Sequence, residues 1–512
     1  MTEKYKYFII KFVFIEKKGD EWMEKWVETV SNLVWSPALI ILCIVVGLFF
    51  SLSTRFLQLR HFAEMIRQMF RGKSSDEGIS SFQALSLALS GRVGTGNIAG
   101  VATAIAYGGP GAVFWMWLIA FVGAGSAFVE AALAQVYKTK QDGQFRGGPA
   151  YYIEKGLKWK WYAVLFAVVT VLATGVLLPG VQANSIAEGM KNAFSIHPAI
   201  TGIGIVVLLG IIILGGVKRI ARAAEFIVPF MAIGYILMAV IIVVVNIEKL
   251  PEVLGLIFRS AFGADAAFGG ILGAAISWGV KRGIYSNEAG QGTAPHAAAA
   301  AEVSHPAKQG LVQAFSVYID TWFVCSATAF MILMTGMYNV TPEGKAPIVQ
   351  TLGDVKPGPI YTQKAVETVF PDLGAPFVAV ALFFFAFTTI MAYYYMAETN
   401  IAYLGRLLKW KNVRAFQFAL KIVMLGVVFY GSVKTAELAW MLGDIGVGSM
   451  AWLNLIAILL LAKPALKVLK DYEQQKKEGR DPVFDPAKLG IEGADFWEYD
   501  YKARETKAAS GK

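Results

Sequence analysis

Residues 86–109, SLALSGRVGTGNIAGVATAIAYGG, sit where a membrane span belongs, yet they do not make a plain one. The stretch holds Gly91, Gly94, Gly96 and Gly100 together with Ser90, Arg92, Thr95 and Asn97. Glycine weakens a helix, and every backbone N–H or C=O freed inside a bilayer must find another partner. Such a break persists where the freed groups line a cavity. The N-terminus of a half-helix then offers N–H groups to an anion, and unwound carbonyls offer oxygens to a cation. The stretch therefore reads as a place where something is bound within the membrane.

The membrane setting follows from the rest of the chain. Only 16% of its 512 residues are charged and 56% are hydrophobic, whereas soluble domains carry about 25% charged residues. Mean hydropathy is +0.52. The net charge of +10 does not point to nucleic acid, because the basic residues fall between apolar runs, where they set topology. Cys43 and Cys325 lie far apart in apolar runs, so neither a disulfide framework nor a zinc pattern is present. The histidines, His61, His197, His296 and His305, form no HExxH. No catalytic metal, no organic cofactor and no enzyme chemistry is expected.

Taken in order, residues 1–34 are mixed in charge and too short of apolar length to span. A leading span is expected at 35–54. HFAEMIRQMF, in the basic segment after it, suits an interfacial amphipathic helix. The broken span follows at 81–107, and then spans at 111–137, 161–188, 199–216, 223–246 and 267–300. Four more are expected at 310–336, 376–404, 414–432 and 438–462, which makes about 11 transmembrane helices in an all-α integral membrane protein. Residues 463–512 read as a charged tail. One set of alternate loops (55–80, 138–160, 217–222, 302–309, 405–414) holds 19 Lys/Arg, and the opposite set (108–111, 189–198, 247–266, 337–375, 431–437) holds 7. The positive-inside rule makes the first set cytoplasmic. The N-terminal segment is then extracellular and the tail cytoplasmic, in a cell membrane.

A second interrupted span, AAISWGVKRGIYSNEAGQGTAPHAAAAA, runs from Ala274 to Ala301 with Gly279, Gly283, Gly290, Gly292, Pro295 and the charges Lys281, Arg282 and Glu288. It is the fifth span after the first broken one. Two five-helix units, 81–246 and 267–462, would then enter the membrane from opposite faces. Paired broken helices at matching places in two halves point to a transporter site.

These residues resemble a known family. SGRVGTGNIAGVA at 90–102, GGPGAVFWMW at 108–117, GGPAYYIEKGL at 147–157, SWGVKRGIYSNEAGQGTAPHAAAAA at 277–301 and YIDTWFVCSATAF at 318–330 are similar to motifs of the alanine or glycine:cation symporters. The resemblance covers roughly residues 23–470. It implies the inverted-repeat, LeuT-type fold of the amino acid–polyamine–organocation superfamily, with one extra helix before a 5+5 core. It also implies uptake of a small neutral amino acid (alanine, glycine or D-alanine) driven by sodium, with protons used by some members. Members often begin with something like MEKWVETVSNLVWSP, which starts here at Met23, so residues 1–22 depart from the pattern and read either as an upstream extension or as a misassigned start.

The resemblance and the residue chemistry together nominate a site. Gly94, Thr95, Gly96 and Asn97 are similar to the superfamily's site-forming segment. Bare N–H groups at Gly94–Gly96 would bind a substrate carboxylate, and Asn97 can give an oxygen to a cation or orient the loop. Gln182 is placed facing the substrate, while Asn184 is balanced between that role and helix–helix bonding. Ile276 and Trp278 would wall the substrate side chain, with Gly279 giving backbone access. Asp320, a carboxylate inside an apolar span, can ligate sodium, pair with Arg92 or Lys281, or bind a proton. Sodium prefers hard oxygens. Thr388 and Thr389 resemble a superfamily sodium site completed by carbonyls near Ser90–Val93 and at Phe385. Arg92, Lys281, Arg282 and Glu288 are ion-pair candidates, with the last three expected to gate the cytoplasmic side. The competing readings are a glutamine or serine transporter of the same fold, a channel, and a membrane-embedded enzyme. A channel would show a repeated filter or charged ring, and an enzyme a nucleophile, base or metal set. Neither pattern occurs. The fragment GTGNIAG has GxGxxxG spacing and no preceding strand, which excludes a dinucleotide fold.

Overall fold

The computed structural model describes residues 25–72, 74–214 and 216–501. The expected extension at 1–22 lies outside the described residues. Helix α1 (Pro37–Ser53) starts on a proline, whose missing N–H is no loss at a helix start. Helix α2 (Phe62–Met69) buries Met65, Gln68 and Met69 and exposes Phe62 and Ile66. Helix α3 (Ser81–Arg92) opens with a capping box in which Ser80 and Gln83 exchange side-chain bonds with each other's backbone N–H. It stops at Val93, and a five-residue π-helical turn, Gly96–Gly100, leads into α4 (Val101–Gly108).

Helix α5 (Gly111–Val136) follows, then α6 (Lys160–Leu172) and α7 (Leu178–Phe194), joined end to end through the π turn Ala173–Leu177. Next come α8 (Pro198–Ile213), α9 (Gly216–Val245) and the short α10 (Leu250–Ala261). The second broken helix is α11 (Leu272–Asn287) and α12 (Ala294–Ala300). The turn between them has Glu288 at φ 55, Gly290 at φ 80 and Gly292 at φ 86. Two of these three left-handed positions are glycine, which has no Cβ to clash there. After it come α13 (Pro306–Tyr318) and α14 (Ser326–Thr335), joined by the π segment Ile319–Cys325. The chain ends with α15 (Pro359–Glu367), α16 (Gly374–Leu407), α17 (Val413–Val433), α18 (Ala436–Leu460) and α19 (Ala462–Lys477).

Among the described residues, eight helical rods are long and apolar enough to cross a membrane: 25–53, 111–136, 160–194, 218–245, 306–335, 374–407, 413–433 and 436–460. Pro198–Ile213 is apolar but shorter. The two broken helices are interrupted at the places the glycines mark. Both are buried through their breaks, whereas α8, α9 and α17 expose Ile203, Val207, Phe226, Phe230, Phe418 and Ile422 outward. That is the surface a lipid-facing helix needs. The two broken helices also meet end to end. Ile79 donates to Ala300 at 2.9 Å and accepts from Glu302 at 2.8 Å, a short parallel bridge.

The charged segment after 461 is more ordered than its composition suggests. Helix α19 packs back on the bundle, with Tyr472 donating to Glu64 of α2 at 2.8 Å. Further on, Trp497 is fully buried and donates to the Gln135 carbonyl at 2.8 Å. Lys138 lies over the rings of Phe145, Phe496 and Trp497 at 4.3, 4.6 and 5.2 Å.

Candidate functional site

The break after α3 is held open by side chains. Gly94 donates its N–H to Asn97 Oδ1 at 2.8 Å, and Asn97 donates its own N–H to the Gly94 carbonyl at 3.2 Å. An asparagine competes with helix in this way by bonding nearby backbone. Thr95 donates its N–H to Gln182 Oε1, reaching across from α7, at 3.0 Å. The N–H groups of Gly94 and Thr95, expected to be bare, are thus occupied by two amide oxygens. A Cβ at Gly94 would stand 2.5 Å from Thr389 Oγ1 and 2.9 Å from Gln182 Oε1. Glycine is required there by close approach. At Gly96 a Cβ would meet Ser286 Cα and Tyr285 Cδ1 at 3.3 Å, so this position faces the second broken helix directly.

Asp320 joins the two breaks. It lies in the π segment Ile319–Cys325 and is fully buried. Its carboxylate accepts from Asn97 Nδ2 at 2.6 Å, from Ser286 Oγ at 2.9 and 3.0 Å, and from Thr321 Oγ1 at 2.8 Å. Asn97 follows the first break and Ser286 precedes the second, so one carboxylate bonds both. The pairing of Asp320 with Arg92 or Lys281 is not what the structure has. Lys281 is taken by Asp444, and Arg92 donates to the Gln313 carbonyl and the Ser316 hydroxyl on α13.

A set of hard oxygens gathers where the end of α3 meets α16. Thr389 Oγ1 lies 3.4 Å from the Val93 carbonyl and 3.0 Å from the Phe385 carbonyl. Thr388 Oγ1 bonds the Phe384 and Phe385 carbonyls at 2.9 Å, within its own helix. The donor chemistry, neutral carbonyl and hydroxyl oxygens from two helices, fits a hard monovalent cation. Thr389 bridges α16 to the end of α3, whereas among the described residues the one hydrogen-bond contact of Thr388 outside its helix is to Met231 Sδ of α9, at 4.0 Å. The Ser90 hydroxyl turns back to the Leu87 carbonyl at 2.7 Å, leaving only its backbone oxygen for such a role.

Ile276, Trp278 and Gly279 are not brought to this point. Trp278 packs against Tyr107, ring centroids 4.8 Å apart and tilted by 33°, and Gly279 packs so tightly on α5 that a Cβ would be 2.5 Å from the Ala112 carbonyl. Eight residues of helix separate Trp278 from Ser286, about 12 Å at 1.5 Å per residue. The residues that face Gly96 are Tyr285 and Ser286, next to the break itself. Their signal in the sequence was that adjacency.

Lys281 and Arg282 do form buried ion pairs, both to Asp444 of α18, at 2.7 and 2.8 Å. Arg282 lies over Trp440 at 4.5 Å and Trp278 at 5.1 Å, and Lys281 over Trp278 at 5.1 Å and Trp35 at 5.7 Å. This cluster is on the α11 half of the second broken helix, at the far end from the Ile79–Ala301 bridge. Glu288 is apart from it, at the turn, accepting from Thr293 at 2.8 Å. Asp444 was legible as the lone charge in 438–462. Glu130 was equally legible, a lone carboxylate in the apolar run of α5. It accepts the N–H groups of Gly290 and Gly292 at 3.3 and 3.2 Å and an Asn454 amide hydrogen at 2.8 Å, and so fixes the turn. Asn184 bonds the Gly431 and Lys434 carbonyls at 3.1 and 2.7 Å, a helix–helix tie.

A family model described as the sodium:alanine symporter family matches residues 20–486. The chain is 67% identical over 481 residues to YrbD of Bacillus subtilis (strain 168), covering 94% of this chain and 98% of that one. It is 58% identical over 444 residues to the sodium/proton-dependent alanine carrier protein of Bacillus sp. (strain PS3), covering 86% and 99%. The sodium/alanine symporter AgcS of Methanococcus maripaludis is 38% identical over 459 residues, covering 88% and 97%.

Proposed function

The chain belongs to the sodium:alanine symporter family, and from that premise we propose that it imports a small neutral amino acid, alanine first, together with sodium by alternating access. The eight long rods, Pro198–Ile213 and the two broken helices make eleven spans in this reading. The span at 37–53 leads, and 81–246 and 267–462 are two five-helix units of opposite entry. The Ile79–Ala301 bridge supports that, because it sets the start of one broken helix beside the end of the other. The Lys/Arg asymmetry supports an outer N-terminus, an inner tail and the cell membrane as its site. Lys281, Arg282 and Asp444 then form an outer latch, not the cytoplasmic gate expected of the first two.

One observation carries the reading: a single buried carboxylate, Asp320, bonds both broken helices next to their breaks. The amide oxygens of Asn97 and Gln182 stand on the N–H groups where the two oxygens of a substrate carboxylate would bind. A sodium ion on Asp320 repels the Asn97 NH2 group and attracts its Oδ1. Turning the amide releases the Gly94 N–H for the substrate. Ion and amino acid are thereby linked through one side chain. A second sodium fits between the Val93 and Phe385 carbonyls and Thr389, with the Ser90 carbonyl and Thr388 as further oxygens. Tyr285 and Ser286 border the substrate in place of Ile276 and Trp278.

The test is uptake of labelled alanine by the purified full-length protein in proteoliposomes. Accumulation is expected only with an inward sodium gradient, with glycine and D-alanine competing better than serine or glutamine. Uptake indifferent to sodium, or a preference for glutamine, would overturn the reading.

A further inference from the structure

Three buried carboxylates lie within electrostatic reach of one cation near the turn of the second broken helix, and none forms an ion pair with it. The charges of Glu288 of the turn, Glu130 of α5 and Asp320 all act on the guanidinium of Arg92, none of them hydrogen-bonded to it, and each of the four residues is at most 1% exposed. Arg92 spends Nη1 on the Gln313 carbonyl and the Ser316 hydroxyl. Its Nε and Nη2 have no hydrogen-bond partner among the described residues. With all three carboxylates ionised, the group carries two more negative charges than positive ones. Uncompensated buried charge is costly. A transported sodium at Asp320 supplies one positive charge, and one is still missing. The other titratable groups facing Glu288 are Tyr285 on its own helix and Tyr393 on α16. Phenols are neutral at physiological pH. Lys281 and Arg282 are already held by Asp444.

Hydrogen-bond donors decide which carboxylate is left over, because a donor to the ionised form favours that form. Asp320 accepts from Asn97, Ser286 and Thr321. Glu130 accepts from two backbone N–H groups and Asn454. Glu288 accepts from Thr293 alone, through Oε2, and its Oε1 is buried with no partner among the described residues. It also sits at the left-handed residue between α11 and α12, so any change of angle between these half-helices moves it.

We infer that Glu288 is a proton-binding site, loaded when the core is closed around it and exchanged with water as the broken helix moves in each transport cycle. The proton adds to Oε1, making a neutral carboxylic acid and balancing the charge that sodium and Arg92 leave. This rests on the symport reading above.

The experiment uses the full-length protein in proteoliposomes holding a trapped pH dye, with equal sodium on both sides. Adding alanine outside wild-type vesicles should carry protons inward. Glu288→Gln should keep sodium-dependent alanine exchange within about threefold of wild type and lose the alanine-coupled proton signal. A proton signal that persists in Glu288→Gln overturns the inference, as does its absence from wild type. A monodisperse Glu288→Gln protein without alanine exchange also overturns it, because a neutral isostere mimics the loaded site. Should that variant fail to fold, Thr293→Val decides. Losing the one donor to the anion should move the pH midpoint of proton coupling upward by about one unit or more, and an unmoved midpoint refutes the site. Sodium-gradient uptake of alanine by wild type in the same vesicles separates the two readings. Its failure sinks symport, whereas its success without proton movement sinks only the Glu288 site.

Discussion

Gly94→Ala should cripple sodium activation while Gly96→Ala is tolerated. The added methyl at 94 would stand 2.5 Å from Thr389 Oγ1 and 2.9 Å from Gln182 Oε1, where ordinary van der Waals contact begins at 3.4 Å. Something must move by nearly 1 Å. Thr389 is β-branched and its rotamers are restricted in a helix, and its hydroxyl is fixed on the Phe385 carbonyl. The hydroxyl must therefore leave the Val93–Phe385 pair, or α16 must withdraw. Losing one oxygen to a charged partner costs about 1.5–3 kcal/mol, a ten- to hundredfold rise in half-saturating sodium. At Gly96 the methyl meets Ser286 and Tyr285 at 3.3 Å, and a shift of a few tenths of an ångström accommodates it. Initial rates of labelled alanine uptake against sodium concentration, in folded protein, measure both. The reasoning is refuted if Gly94→Ala keeps the wild-type sodium dependence, or if Gly96→Ala is the worse of the two.

The two threonines should differ in the same assay. Thr389→Ala, which removes the oxygen near Val93, raises half-saturating sodium, and Thr388→Ala changes it far less; equal effects would contradict the assignment. Asp444→Asn strands Lys281 and Arg282 in a buried site, a loss of about 3–5 kcal/mol expected to lower the thermal unfolding temperature of the purified protein sharply. An unchanged unfolding temperature would show that the latch holds nothing. The tail should stay docked at neutral pH and open in acid. Burial pushes Asp471 up, yet His305 and Gln475 hold it below the usual carboxylate range; likewise Glu473 is held down by His61 and Arg60 against its burial. Groups depressed in this way contribute stability above their unfolded values, about 4, that is lost as pH falls through the lower folded ones. Hydrogen exchange across 462–480 should be slow at pH 7 and rise only below about pH 4; fast exchange at pH 7 would contradict the docking.

What the sequence shows and hides has physical causes. Span positions were legible because apolar runs bounded by basic loops leave little choice: 376–404 was expected and Gly374–Leu407 is found, 414–432 and Val413–Val433. Both breaks were legible because glycine, proline and polar residues have no other use within a span. The partners across helices were not. Ser286, Glu130 and Asp444 matter through what lies opposite them, and a single sequence does not give that. Trp278 drew attention as an aromatic near the break, but a straight helix carries it about 12 Å from Ser286. The N–H groups at 94 and 95 look bare in sequence only because their acceptors, Asn97 and Gln182, arrive by folding. In the tail, charge hid apolar residues that bury, Val468, Leu469, Tyr472, Phe484, Phe496 and Trp497 among them.

The central claim is that the two broken helices form one site through Asp320. It is tested most directly by a double-mutant cycle on sodium-dependent binding of labelled alanine to purified protein, with Asn97→Ala, Ser286→Ala and the pair. Both side chains donate to the same carboxylate from different helices. Their effects should therefore be non-additive by about 0.5–3 kcal/mol. Additive losses, or variants that bind alanine and sodium as wild type does, would mean that the breaks do not share a site.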